Sequence, residues 1–314
     1  MLFLFLKFLC MSAISPPSIN TIQTPEQILH RLDWKVIRRL DGLLQGDYRT
    51  LFYGDGLDFA DLREYQIEDD IRHIDWNVTA RTNSLHVRQY VEDRDITAWF
   101  LMDISPSMGF GPAGHTKESV LIDLVTTLSR LLTRSGNRVG AILYNGGIDR
   151  TIPPRSGRIQ VLRLTRELLK ETESPVKEMT DLNVLLDAGL NTFKRRSLVF
   201  VISDFISEPG WPQRLSLLNR RHEMIGIRLW DPREVELPNA GLLLVEDSET
   251  GEQLRVDTSD PEFRRRFYAA AKSRKGELKE SLKRAGVDLF AVSTEEDLVG
   301  AIVRMAALRK KRRR

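Results

Sequence analysis

The 314-residue chain reads as an α/β protein built on a mostly parallel sheet with helices on both faces. Three observations predict this. Beyond residue 95, five short apolar runs alternate with amphipathic helical stretches. The runs are continuously apolar rather than alternating, as strands buried on both faces must be. The spacing between runs leaves room for a crossover helix each time, and only residues 232–258 break the rhythm.

Taken in order, residues 25–45 carry helical periodicity: Ile28, Leu32, Ile37, Leu40 and Leu44 fall near one stripe, and Gly46 stops the helix. From Gly54 to Arg94 the chain is polar and aromatic, dense in Asp and Arg, and ends in a strand-like alternation at 85–91. Strands are expected at 96–103, 138–144, 197–203, 223–230 and 288–292, and helices at 116–134, 158–172, 182–194, 212–221, 261–285 and 295–310. Within 232–258, Leu242-Leu243-Leu244-Val245 and Gln253-Leu254-Arg255-Val256 flank Glu249-Thr250-Gly251, a hairpin signature. There is no internal repeat and no low-complexity linker. The expected organisation is a disordered or wrongly assigned N-terminus (1–24), an N-terminal extension (25–94), and the α/β domain (95–314) with its inserted hairpin at 232–258.

A formal charge of +3 is too small to point to nucleic acid by itself. Much of the basic character sits in Arg309-Lys310-Lys311-Arg312-Arg313-Arg314, which reads as a solvated helix end, with a phosphate or anionic-lipid contact as the alternative. The single cysteine, Cys10, excludes an intrachain disulfide framework and fits a reducing compartment. It lies in the apolar stretch 1–10, too short to span a bilayer and lacking the charged start and cleavage site of a signal peptide. Translation is expected to begin at Met11, and the protein to be cytoplasmic.

The chemistry concentrates at strand ends. Asp103-Ile104-Ser105-Pro106-Ser107-Met108 directly follows the first buried strand and offers one carboxylate and two hydroxyls at alternate positions. Such hard oxygen donors suit magnesium or manganese and would hold zinc poorly. Asp204 ends the strand Val199–Ser203, and Thr180 stands just before a helix. Ligands of open parallel sheets bind beyond the carboxyl ends of the strands, so these three loops can meet at one rim. Singly, each has a plainer role: Thr180 as a helix N-cap, Ser-Pro-Ser as a turn, Asp204 as a cap. Together they make a divalent-metal site.

Two glycine-rich patterns overlap this region and are rejected. Gly109-Phe110-Gly111-Pro112-Ala113-Gly114 has dinucleotide-loop spacing, but Asp103 to Met108 separate it from the strand end, and Tyr144-Asn145-Gly146-Gly147 stands where the ribose-binding acid belongs. The same stretch fails as a phosphate loop because His115 replaces the lysine. An aspartyl-phosphatase nucleophile would need a second Asp where Ser105 stands. The five histidines, His30, His73, His86, His115 and His222, are scattered and read as solvated or helix-end residues.

Asp-x-Ser-x-Ser-Met with a later Thr and a second strand-terminal Asp resembles the metal-ion-dependent adhesion site of von Willebrand factor A domains, which are Rossmann-like. The stretch Gly54-Asp55-Gly56-Leu57-Asp58-Phe59-Ala60-Asp61-Leu62-Arg63-Glu64-Tyr65, running into Asp69-Asp70-Ile71-Arg72-His73-Ile74-Asp75-Trp76-Asn77-Val78-Thr79-Ala80-Arg81, closely resembles the bacterial DUF58 family, a von Willebrand A-like group. The likeness runs from about Leu32 through most of the chain, including Asp231-Pro232-Arg233-Glu234 and Glu249-Thr250-Gly251-Glu252. It implies a non-enzymatic interaction protein working with a MoxR-type AAA+ ATPase on a client complex. It also implies that Ser105, Ser107 and Thr180 give hydroxyl ligands to Mg2+ or Mn2+, and that Asp103 and Asp204 act directly or through water. A partner carboxylate would complete the coordination. Asp181, beside Thr180, departs from the pattern by adding another carboxylate.

The acid- and arginine-rich block has two readings: a salt-bridged pad packed beside the sheet, or a docking surface for the ATPase through Arg63, Asp70, Arg72, Asp75 and Arg81. Trp76 and Tyr65 are expected to pack. Two rivals to the interaction protein stand. One is a metal-dependent hydrolase on the same oxygen cluster, which lacks a credible general base. The other is a membrane-surface or nucleic-acid binder using the basic tail.

Overall fold

The computed structural model describes residues 23–44, 62–66, 71, 74, 76–82, 84–88, 96–112, 114–170, 179–247 and 251–312. A six-stranded sheet forms its centre. In chain order its strands are β3 (Thr97–Asp103), β4 (Arg138–Tyr144), β5 (Ile148–Arg155), β6 (Leu198–Ser203), β7 (Glu223–Trp230) and β10 (Asp288–Ser293). Their spatial order is β10-β7-β6-β3-β4-β5, all parallel except β5, which pairs antiparallel with β4. Renumbered within the sheet this is the doubly wound order 3-2-1-4-5-6, reversing between β3 and β6. The architecture is von Willebrand A-like.

Side-chain alternation along the buried strands splits the core in two. Phe100, Met102, Phe200, Ile202 and Ile227 face one side, with α4 (Lys117–Arg134), α5 (Arg158–Leu168) and α9 (Leu298–Arg312). Trp99, Leu101, Val199 and Val201 face the other, with α6 (Leu182–Thr192), α7 (Trp211–Asn219) and α8 (Pro261–Arg284). Phe100 and Phe200 are register partners on neighbouring strands, and their rings stack at 5.1 Å.

The N-terminal helical segment is α1 (Pro25–Leu32), a π-helical turn (Asp33–Ile37) and α2 (Arg38–Leu44). Thr24 and Gln27 close a capping box at its start. Ile28, Leu32, Ile37 and Leu40 are buried in the first core as the periodicity predicts, so this segment is an outer layer on α4. Arg31–Asp123 (2.6 Å) and Arg134–Asp41 (3.0 Å) fasten its edges.

The sequence reading did not anticipate β5. Its Pro153-Pro154 and its exposed, polar residues carry no buried-strand signal, but proline is tolerated on an edge strand. The β4–β5 ladder shifts register around Gly140. A Cβ there would meet the Ile152 carbonyl oxygen at 2.9 Å and the Pro154 nitrogen at 3.0 Å. Gly140→Ala is therefore expected to cost about 1–3 kcal/mol by overpacking against backbone that cannot yield. A urea melt reads this directly, and an unchanged midpoint would refute it.

The hairpin is present as β8 (Leu242–Glu246) and β9 (Gln253–Asp257), antiparallel, with Val245 and Val256 turned inward. Before the sheet, β1 (Leu62–Glu64) pairs antiparallel with β2 (His86–Arg88), and α3 (Trp76–Thr82) lies between them in sequence. Trp76 does not pack as expected: it is 67% exposed. Arg309 departs from the solvated-tail reading, being buried and ion-paired with Glu223 where α9 passes β7. His222 is also buried, edge-on to Phe193 at 5.4 Å, rather than solvated. Among the described residues, no helix is long and apolar enough to cross a membrane.

Candidate metal centre

β3 is buried from Ala98 through its last residue, Asp103, so it carries a carboxylate to the rim with no solvent contact. Beside it Met102 pairs with Ile202, which places Ser203 next to Asp103 and Asp204 one residue beyond. These are the two strands at which the sheet order reverses.

The turn after β3 is built by its own polar groups. The Ser105 N–H donates to Asp103 Oδ1 (3.0 Å), and Ser105 stands directly before a 3-10 turn, Pro106–Gly109. That turn brings the Ser105 and Ser107 hydroxyls to 3.1 Å from each other, both buried. Met108, 1% exposed, pins the turn into the core. On the other strand, Ser203 Oγ donates to Asp103 Oδ2 (2.7 Å) and accepts from the Phe205 N–H (2.9 Å). Asp204 Oδ1 accepts from the Ile206 N–H (2.9 Å), and the Ser107 hydroxyl also bonds this carboxylate. Phe205 sits at φ +59, a left-handed conformation that costs a bulky residue about 1–3 kcal/mol and persists where the surroundings impose it. Its ring is held against Trp211 at 5.4 Å.

Thr180 is buried on the same rim. Its carbonyl accepts from Glu208 N–H (2.9 Å), and the next two amides donate to Tyr144 Oη (2.8 Å) and Ser207 Oγ (2.9 Å). Thr180 is not the helix cap. That role belongs to Asp181, whose carboxylate accepts from the Asn183 N–H (2.9 Å) and side chain (2.6 Å). The extra carboxylate is thus engaged in starting α6.

Two charged residues that the sequence reading passed over complete the site. Lys117, 0% exposed in the first turn of α4, donates from Nζ to Asp204 Oδ2 (2.8 Å) and Glu234 Oε1 (2.6 Å). Glu234 ends a 3-10 turn after β7, where it forms a capping box with Asp231. One local signal for Lys117 existed: a cation in a helix's first turn opposes the macrodipole and needs a compensating acid.

The charges are strongly coupled. Burial, and then the negative charge of Asp204, push the Asp103 carboxyl up to about 6. Burial also works to raise Asp204, but the Lys117 ammonium against it wins and holds that carboxyl below the usual range. Glu234 is raised by burial, with Lys117 opposing.

Two buried, mutually repelling carboxylates and two hydroxyls in contact are a donor set that a hard divalent cation would satisfy. It is not a cage of imidazoles, thiolates or many acids: among the described residues, no group of three or more His, Cys, Asp and Glu side chains is placed to hold a metal. Of the proposed docking residues, Arg81 is exposed on α3 and Arg63 lies in β1, while Asp70, Arg72 and Asp75 fall outside the described residues.

The model of the family described as "Protein of unknown function DUF58" matches residues 61–277. The chain belongs to the DUF58 family. Two relatives of this DUF58 protein, uncharacterized proteins of Mycobacterium bovis and Mycobacterium tuberculosis, are each 34% identical to it over 304 residues, 96% of either chain. Among solved structures, an aerotolerance-related membrane protein from Bacteroides fragilis is similar at 15% identity and TM-score 0.48, over 69% of this chain and 99% of that one. The manganese-loaded TRAP protein of Plasmodium vivax is similar at 23% identity and TM-score 0.35, over 44% of this chain and 58% of that one.

Proposed function

We propose that this DUF58 protein is a non-enzymatic, divalent-cation-dependent protein-interaction module. Mg2+, or Mn2+ in its place, would be held at the rim by Ser105, Ser107 and Thr180, with Asp103 and Asp204 ligating directly or through water. The observation that carries this reading is the convergence of Asp103, Ser105, Ser107 and Asp204 at the switch point between β3 and β6, buried and bonded to one another. The cation would supply a coordination position for an acidic side chain of a partner. The chain's own residues fix that position by holding the two carboxylates apart from bulk water.

The partner we propose is a MoxR-type AAA+ ATPase acting in the cytoplasm, with a client complex as the object of the pair. A hydrolase reading would need a base within reach of a bound substrate. Rim carboxylates are engaged within the chain instead: Asp103 by the Ser105 N–H and the Ser203 hydroxyl, Asp204 and Glu234 by Lys117, Asp181 at the start of α6, and Asp231 by the Arg233 N–H and Thr294 Oγ1.

Capture of partners from native lysate tests the proposal, comparing wild type with Ser105→Ala, each with Mg2+ and with EDTA. A MoxR-type ATPase identified by mass spectrometry only with wild type and Mg2+ is the expected result. Equal capture of that ATPase in all four samples, or its absence from all, would overturn it.

A further inference from the structure

We infer that Lys117 is a built-in counter-cation of the metal centre: shared between Asp204 and Glu234, it keeps the site assembled without a divalent ion and weakens the hold on one. The inference deepens the reading above and rests on it only for the identity of the ion's site. Lys117 is fully buried, and its ammonium has a carboxylate at 2.8 Å on one side and another at 2.6 Å on the other. A lone buried ammonium carries a heavy desolvation penalty, and two carboxylates at this range are what make its burial tolerable.

The position matters because Asp204 is shared. Its Oδ2 faces Lys117 while the same carboxylate is bonded by Ser107, so any ion bound against Ser107 lies within one side chain of a fixed positive charge. Like charges at such separation repel strongly where water is excluded. Arg228, buried on β7 beside Ser203 in register, adds a second positive charge that acts on Asp204 and Glu234. Three carboxyls (Asp103, Asp204 and Glu234) then face two fixed cations, a balance of −1 when all are ionised. A divalent ion turns this to +1, and one further carboxylate restores neutrality. The arrangement therefore favours holding the ion together with an acidic ligand from outside over holding it alone.

Glu234 gives Lys117 somewhere to rest when the ion draws on Asp204. It belongs to the turn after β7, where Asp231 Oδ2 accepts from Thr294 Oγ1 (2.6 Å), so the network runs from β3 across β6 and β7 to the end of β10.

The test is Mn2+ binding followed by the electron paramagnetic resonance of the free ion, with thermal melts in parallel. Wild type is compared with Lys117→Met and with the volume-conserving pair Lys117→Met/Glu234→Gln, which removes one acid together with the cation. Lys117→Met is expected to bind Mn2+ about tenfold or more tightly than wild type, because a fixed positive charge near the ion has gone. The double variant also loses the negative charge of Glu234, which bonds Lys117 rather than a proposed ligand, and is expected to gain less but still to bind more tightly. Their melting temperatures should also respond more to Mn2+ than that of wild type. Should the single variant fail to fold, the double variant decides.

Equal or weaker binding than wild type, with wild type itself binding, overturns the inference and leaves the proposed function standing. Binding by the variants but not by wild type supports the inference alone. No binding by any of the three overturns both.

Discussion

Asp103→Asn is expected to remove divalent-cation binding and, in the same protein, to raise the melting temperature measured without the cation. The two effects have one cause. Asp103 and Asp204 end neighbouring strands with their carboxyls buried at 0% and 1% exposure, and burial plus the Asp204 charge lift Asp103 from 3.8 to about 6. That lift corresponds to roughly 3 kcal/mol of unfavourable interaction when Asp103 is ionised. Asparagine removes the charge at nearly constant volume. Its side-chain oxygen can still accept from the Ser105 N–H, and its amide can donate to Ser203 Oγ, whose hydroxyl is free to turn.

For the proposed cation the same substitution would take away a ligand charge. Losing even an outer partner of a metal ligand typically costs about 10–100-fold in affinity, so loss of Asp103 should cost about a hundredfold or more. Calorimetry with Mn2+ and a thermal melt in EDTA read the two effects separately. A variant that is destabilised in EDTA, or that still binds Mn2+ as wild type does, would show that Asp103 serves the fold rather than the ion. This is the expected signature of a functional site: a charge arrangement that the folded chain tolerates for what it binds.

How far the molecule was legible from its sequence follows from where each signal lies. The five parallel strands were legible because burial on both faces forces unbroken apolar runs, and their helices because one face must be apolar. β5 was not, because an antiparallel edge strand with exposed residues and Pro153-Pro154 has neither pattern. The stripe from Ile28 to Leu40 was legible as a helix, but only packing shows that it docks on α4. At the rim, Asp103, Ser105 and Ser107 are close in sequence, so their turn announces itself. Asp204 could be placed beside them only through strand order. Lys117 was hidden by its distance from its partners, 87 residues from Asp204 and 117 from Glu234: its place in a helix's first turn calls for an acid but does not say which. The choice between Thr180 and Asp181 as cap could not be read either, since both residue types cap well. In the basic tail, Arg309 reads by composition as another solvated cation, but the turn of α9 points it at Glu223.

Burial of Asp103, and after it the negative charge of Asp204, also fix a pH dependence whose sign is opposite to that of an ordinary salt-bridged acid. A carboxyl raised from 3.8 to about 6 by folding binds its proton more tightly in the folded state. Its contribution to stability is therefore fully present below 3.8 and is lost as pH rises through about 6. Without a divalent cation, wild type should thus lose up to roughly 3 kcal/mol from this group across that window, relative to a protein lacking it. Asp204 works the other way: with its carboxyl held down by Lys117, its stabilisation is present at neutral pH and is lost only as pH falls below the usual carboxylate range. Many surface acids titrate over the same interval, so the quantity to measure is the difference between wild type and Asp103→Asn. Chemical denaturation of both proteins at a series of pH values in EDTA should show the variant gaining on wild type as pH rises from 4 to 7, with the gap closing when Mg2+ is added to wild type. A gap that stays constant with pH would mean that burial and the Asp204 charge do not raise the Asp103 carboxyl in the folded protein.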